Sequence, residues 1–167
     1  DPDKDIKINL IEAAPRILPA LPERLSEAAT KLLAGLKVHV HTSARVMEVT
    51  ANGVTLANGT SIPAELVVWA AGIKATDVLK DIAGLETNPL NQLVVRPTLQ
   101  TTRDDAIFAF GDCAACPWPG HQGAVPPRAQ AAHQQASHLA KQLPRRIAGM
   151  PLRDWHYRDF GSLISLG

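Results

Sequence analysis

The sequence lacks most of the features that would classify it at once. Two cysteines in 167 residues are too few for a disulfide-stapled scaffold. Neither charge sign dominates: 17 Lys and Arg stand against 16 Asp and Glu, a formal charge of +1. That balance leaves no electrostatic footprint for nucleic acid and no polybasic membrane patch. Apolar runs such as residues 64–73 are far shorter than the ~20 residues a spanning helix needs. No charged-then-apolar leader opens the chain, so export is not expected. What is present is ordinary: 46% hydrophobic and 20% charged residues, enough for a folded core and against wholesale disorder. The expectation is a soluble, cytoplasmic protein of one ordinary domain or two small ones.

The hydrophobic pattern is that of an α/β chain. Residues 6–11 (IKINLI) read as a largely buried strand that stops at Glu12, followed by a loop punctuated by Pro15, Pro19 and Pro22. Leu25, Ala28, Ala29, Leu32, Leu33 and Leu36 then mark one face of a helix over residues 23–36, and residues 37–40 form a second strand. Strand, helix, strand in that order predicts a right-handed parallel crossover. Short alternating strands follow at 44–50, 54–56 and 60–62, separated by two Asn-Gly turns, which predicts an inserted antiparallel meander. Residues 66–70 (LVVWA) return as a parallel-type strand ending at Ala71-Gly72. Beyond it the pattern predicts a weak helix at 76–83, strands at 93–94 and 107–110, and a loop at 113–127. A long helix at 128–146 and strands at 155–157 and 162–166 complete the chain.

A nucleotide-binding α/β chain opens each half with a glycine-rich strand-to-helix turn, yet no G-x-G-x-x-G occurs here. The first strand reads as the second of its βαβ unit. The expectation is therefore a piece of a longer protein.

Four stretches carry candidate chemistry. Glu12 ends its strand, where a carboxylate accepts hydrogen bonds from the adenosine ribose and repels a 2′-phosphate, favouring NADH over NADPH; the plainer reading is a solvated strand-end glutamate. Ala71 and Gly72 offer small residues at a strand tip, where backbone can approach a flat ring, or else a simple turn. Gly111-Asp112 places an aspartate at a strand end where it can hold sugar-like hydroxyls, or else merely cap the next helix. After Pro126-Pro127-Arg128, the run Ala129-Gln130-Ala131-Ala132-His133-Gln134 starts a helix whose first N–H groups favour partial negative charge. Gln130 and Gln134, four apart, share a face and present amides to a carbonyl-bearing substrate; the alternative is a solvated surface helix.

Taken together these stretches resemble a known family. INLIEAAPRILP, ELVVWAAGIKA, IFAFGDCA, VPPRAQAAHQQA and WHYRDFGSLISLG are similar, in order, to segments of the type II NADH dehydrogenases, non-pumping NADH:quinone oxidoreductases of the FAD-dependent pyridine nucleotide-disulfide oxidoreductase superfamily. AQAAHQ fits the family's A-Q-x-A-x-Q pattern and is the most discriminating match. The resemblance implies partial Rossmann-like units: residues 1–72 as the later part of an NADH-binding domain, and 73–167 as the later part of an FAD-binding domain. It implies that Glu12 contacts the NADH ribose, that Ala71 and Gly72 lie near nicotinamide and flavin, and that Gly111 and Asp112 hold the FAD ribityl or phosphate region. Ala129 and Gln130 would meet the flavin pyrimidine edge, with Gln130 and Gln134 bordering a quinone pocket. The implied chemistry is hydride transfer from NADH to FAD and two-electron reduction of a quinone. The amino-terminal FAD half, the NADH glycine loop and the family's membrane-anchoring helices are missing from these residues. The expectation is that this chain alone is inactive and pairs with another copy through exposed sheet edges, possession of the membrane anchor falling to the parent on the cytoplasmic face of the inner membrane.

Two rival readings stay open at this point. Cys113 and Cys116 form a C-x-x-C that would suit a flavoenzyme reducing a protein or disulfide, although Pro117 and Pro119 break the helix such a motif needs. A non-catalytic nucleotide-binding module would fit the missing glycine loops. No metal site is expected: His39 and His41 share a strand face with no spaced partner, and one C-x-x-C lacks the second pair zinc requires.

Overall fold

The computed structural model describes residues 6–162. They divide into two compact units, residues 6–70 and Ala71–Ser162.

In the first unit, β1 (Ile8–Ile11) pairs in parallel with β2 (Val38–His41), Ile8 opposite Val38 and Ile11 opposite His41. The helix between them, α1 (Glu23–Gly35), starts after Pro22 at φ −53°, close to the value proline enforces anyway. Its apolar stripe buries Ala29 and Leu33 against Ile17, with Leu10, Val38 and Val40 packed around them. The proline-rich loop is tied down by Arg16, whose guanidinium donates to the Leu21 carbonyl (2.8 Å), the Pro19 carbonyl (2.8 Å) and Ser26 Oγ (2.8 Å). Ser26 Oγ in turn donates to the Ile17 carbonyl, which explains a buried serine inside an apolar face. The meander is present as β3 (Val46–Thr50), β4 (Gly53–Leu56) and β5 (Ser61–Pro63), antiparallel in sequence order.

The strand expected at 66–70 does not form. Those residues carry no regular structure and no ladder, and Leu66, Val68 and Trp69 are 80%, 77% and 64% exposed. A buried parallel strand needs neighbours on its edges. Among the described residues β1 and β2 form a sheet of only two strands, and nothing pairs with 66–70.

The second unit has its own core, built from Leu85, Leu93, Val95, Leu99 and Ala109 together with Ala114, Cys116, Val125, Ala131, Leu139 and Trp155. Among the described residues its sheet is a short parallel pair, β6 (Leu93–Val94) with β7 (Ala114–Ala115). The long helix α2 (Ala129–Ile147) packs Ala131, Gln135, Leu139 and Gln142 inward. Sequence reading placed 113–127 entirely in a loop and so missed β7; the four prolines lie after the buried Ala114-Ala115-Cys116 stretch, not within it. The expected strand at 107–110 reduces to a single bridge, Gln100 to Phe108. Instead of joining parallel neighbours it folds back on the preceding residues, with Thr101 N–H donating to the Ile107 carbonyl (2.8 Å) and Ala109 N–H to Leu99 (3.1 Å). The helix expected at 76–83 contracts to a 3₁₀ turn, Asp77–Asp81, and residues 155–157 form no strand, making one backbone bond from Trp155 N–H to the Pro97 carbonyl (2.8 Å). Of the strand expected at 162–166, Ser162 carries no regular structure and the rest lies outside the described residues.

Candidate functional site

The second unit brings Gly111 and Asp112 against the head of α2. Residues Gly111–Cys113 form one 3₁₀ turn that enters at φ +73° on Gly111, a backbone conformation glycine adopts without strain. A Cβ at Gly111 would stand 3.5 Å from Ala132 Cβ, so the turn lies directly on the helix. Gly111 N–H donates to Gln135 Oε1 at 2.6 Å, and Gln92 Nε2 donates to the Asp112 carbonyl at 2.9 Å. Both glutamines are buried, which fixes the turn from two sides. The Asp112 carboxylate is exposed and makes no hydrogen bond or ion pair among the described residues.

The start of α2 is equally open. Arg128 precedes it in extended conformation, and no side chain caps it. The first N–H donors held locally are those of Ala131 and Ala132, both on the Arg128 carbonyl (2.9 and 3.1 Å). Pro126 and Pro127 have no N–H to place, leaving the Ala129 and Gln130 amides at the positive end of the helix without an acceptor among the described residues.

Gln130 and Gln134 do share a face, as their spacing requires, but they are not idle. Gln130 Oε1 accepts from Phe160 N–H (3.0 Å) while its Nε2 donates to the Gly161 carbonyl (2.9 Å). Gln134 binds Arg158 through both ends of its amide, at 3.0 and 2.9 Å. Gln134 keeps one hydrogen and one lone pair for another partner, whereas Gln130 Nε2 also donates to Asp159 Oδ1 (3.4 Å) and keeps only a lone pair. Sequence reading missed this use, and it missed Gln135, whose place on the buried face follows from its neighbours Ala131 and Leu139 at helical spacing.

The first unit holds Glu12 at the end of β1. Its backbone is locked by Glu12 N–H to the His41 carbonyl (2.8 Å) and Ala44 N–H to its own carbonyl (3.0 Å). One carboxylate oxygen accepts from Ala14 N–H at 2.8 Å, which turns the side chain back over the following loop. Ala71 and Gly72 are exposed; Gly72 sits at φ +90° with open space where a Cβ would stand, so conformation and not crowding calls for glycine there.

Of the two cysteines, Cys116 is 1% exposed in the core. Burial, aided by the nearby Asp154 charge, pushes its thiol from 9.0 up to about 12. Cys113 Sγ donates to the Phe110 carbonyl at 3.2 Å, and both cysteines are free. A thiol held protonated is a poor nucleophile and a poor half of a redox pair. Alkylation of the native chain at Cys116 is thus expected to be negligible near pH 8, while Cys113 reacts. The folded state binds the Cys116 proton more tightly than the unfolded state, so its contribution to stability is intact below pH 9.0 and is lost as pH rises toward 12. Denaturant melts across that window, read beside mass-mapped alkylation, check both points; rapid labelling of Cys116 at pH 8 would refute them.

Among the described residues no three His, Cys, Asp or Glu side chains converge as a metal site, and no helix is long and apolar enough to cross a membrane.

The family model for pyridine nucleotide-disulphide oxidoreductases matches residues 3–136. The chain belongs to that family. It is 45% identical over 161 residues to a type II NADH:quinone oxidoreductase from Haemophilus influenzae, covering 96% of this chain and 36% of that protein. It is 31% identical to the Staphylococcus aureus enzyme of the same description, covering 97% of this chain and 40% of that one. Among solved structures, a ferredoxin reductase from Rhodopseudomonas palustris superposes with a TM-score of 0.71 at 26% identity, over 92% of this chain and 38% of its own. This pyridine nucleotide-disulphide oxidoreductase chain therefore spans little more than a third of the length of the relatives it matches. The Rossmann-like α/β architecture expected from its sequence is the architecture of that family.

Proposed function

We propose that these residues form part of a flavin-dependent NADH:quinone oxidoreductase. The observation that carries the reading is the pairing of Gly111-Asp112 with the uncapped head of α2, in a chain 45% identical to a type II NADH:quinone oxidoreductase. These residues fit a flavin. An unpartnered, exposed carboxylate suits the hydroxyls of its ribityl chain, and a left-handed glycine lets the turn approach closely. A bound FAD would supply the redox chemistry, hydride acceptance from NADH and two-electron transfer to a quinone. The chain's own work is positional. Asp112 holds the ribityl region, the Ala129 and Gln130 amides stabilise negative charge at the pyrimidine edge, and Gln130 and Gln134 line the acceptor side with their remaining hydrogen-bonding capacity. In the first unit Glu12 keeps one oxygen for the NADH ribose, and at the start of the second Ala71 and Gly72 leave room for nicotinamide and flavin. This reading puts the parent enzyme at the cytoplasmic face of the inner membrane, where its NADH is supplied.

The buried, protonated Cys116 thiol argues against a redox-active Cys113–Cys116 pair and so against a disulfide acceptor. Steady-state assays of the full-length enzyme are expected to show NADH-dependent quinone reduction and no disulfide reduction; the reverse would overturn the reading. Purified alone, the 167-residue chain is expected to be colourless, inactive with NADH and dimeric or larger by light scattering, because it holds no glycine-rich loop and exposes unpaired strand edges. A yellow, NADH-oxidising monomer would contradict that.

A further inference from the structure

Among the described residues the stretch that follows α2 has no strand beside it, and the helix supplies partners instead. Residues 130, 134, 138 and 142 recur every four positions and so share a face of α2. Gln142 Oε1 accepts from Arg153 N–H at 3.0 Å, and His138 Nε2 lies 3.0 Å from the Arg153 carbonyl. Gln134 and Gln130 continue the ladder at Arg158, Phe160 and Gly161. A side-chain amide offers the same donor and acceptor as a peptide unit, so this face acts as the edge of a sheet.

The ladder ends in a fastened turn. Asp159 Oδ1 accepts from Gly161 N–H (2.9 Å) and lies 3.3 Å from Arg128 Nη1, on the residue that precedes α2. Gly161 is at φ +87°, which lets the chain turn back without strain. The turn is thus bound to the helix head on both sides, yet the ring it carries, Phe160, is 74% exposed. Isolated exposed apolar residues are common on protein surfaces. An exposed aromatic ring on an anchored turn has already lost much of its backbone freedom, the preorganisation that a binding anchor needs.

We propose that Phe160 is a specificity-determining residue of the acceptor site, a fixed aromatic wall at the head of α2 for a flat quinone ring, with Gln134 the positioning residue that holds its turn. The inference rests on the quinone reading above. Offset stacking on Phe160 would give a planar acceptor an interaction that a compact ion cannot use.

The test compares ubiquinone-1 with ferricyanide, an anion with no ring to stack, in the full-length enzyme. Phe160→Ala is expected to raise the quinone KM about tenfold, with the ferricyanide KM changed less than about twofold, and Phe160→Tyr to restore the quinone value. Flavin reduction by NADH, in which Phe160 takes no part, is the internal control. Gln134→Ala is expected to raise the quinone KM about threefold and to strip hydrogen-exchange protection from the Arg158 amide in the 167-residue chain. An unchanged quinone KM in Phe160→Ala, or an equal loss with both acceptors, overturns the proposal. Failure of the unmodified enzyme to reduce quinone would instead sink the quinone reading itself, and is seen before any substitution is made.

Discussion

Asp112→Ala is expected to strip FAD from the full-length enzyme while leaving its fold intact. The two halves of that expectation come from the same residue. The Asp112 carbonyl belongs to the frame, since Gln92 Nε2 donates to it, and alanine preserves that bond. The carboxylate is exposed and bonds to nothing among the described residues, so removing it costs the folded chain little. Two hydroxyl hydrogen bonds to a charged acceptor are each worth roughly 1.5–3 kcal/mol. Their loss corresponds to a Kd for FAD weakened on the order of 100-fold or more. Flavin content after gel filtration, read beside the melting temperature of the apoprotein, checks both halves. Full flavin occupancy in the variant would remove Asp112 from the site; a collapsed melting temperature would make its role structural.

The second large effect lies in the meander of the other unit. Gly53 opens β4 at φ +138°, opposite Thr50 on one side and Pro63 on the other. A Cβ there would stand 2.2 Å from the Ile62 carbonyl oxygen and 2.9 Å from both Ala64 N and Pro63 Cα. All three are backbone atoms, with no flexible side chain to yield. Gly53→Ala must therefore part β4 from β5 or bend both, at a cost of roughly 3 kcal/mol or more. Gly59 provides the comparison: it has φ +83° but open space around its would-be Cβ, so alanine there costs only conformational strain, about 1 kcal/mol. Denaturant unfolding followed by circular dichroism separates the two, and equal losses would refute the steric account.

How much of this was legible beforehand depended on whether a signal was local. The β1–α1–β2 crossover was readable because its strands and helix carry the 2.0 and 3.6 periods in their own residues, and the meander because Asn52-Gly53 and Asn58-Gly59 mark its turns. Residues 66–70 and 107–110 carry the same apolar signature as β1, but a strand also requires a neighbour, which no pattern within the segment reports. β7 was hidden for the opposite reason: two alanines beside four prolines carry no strand propensity, and only burial against β6 makes them one. At the site, Gly111, Asp112, Ala129 and Gln130 could be named from motif and spacing. That Gly111 would be fixed by the buried Gln135, and that Gln130 and Gln134 would hold residues 158–161, depends on contacts spanning 24 to 31 positions, beyond the reach of local reading.

In the proposed function Gly111-Asp112 and the head of α2 flank a flavin. Anaerobic titration of the full-length enzyme with NADH, followed by addition of ubiquinone-1, examines that claim in one cuvette. The expected result is a yellow protein whose flavin band bleaches with NADH and returns with the quinone. A colourless full-length protein, or a flavin band that NADH leaves unchanged, would contradict it.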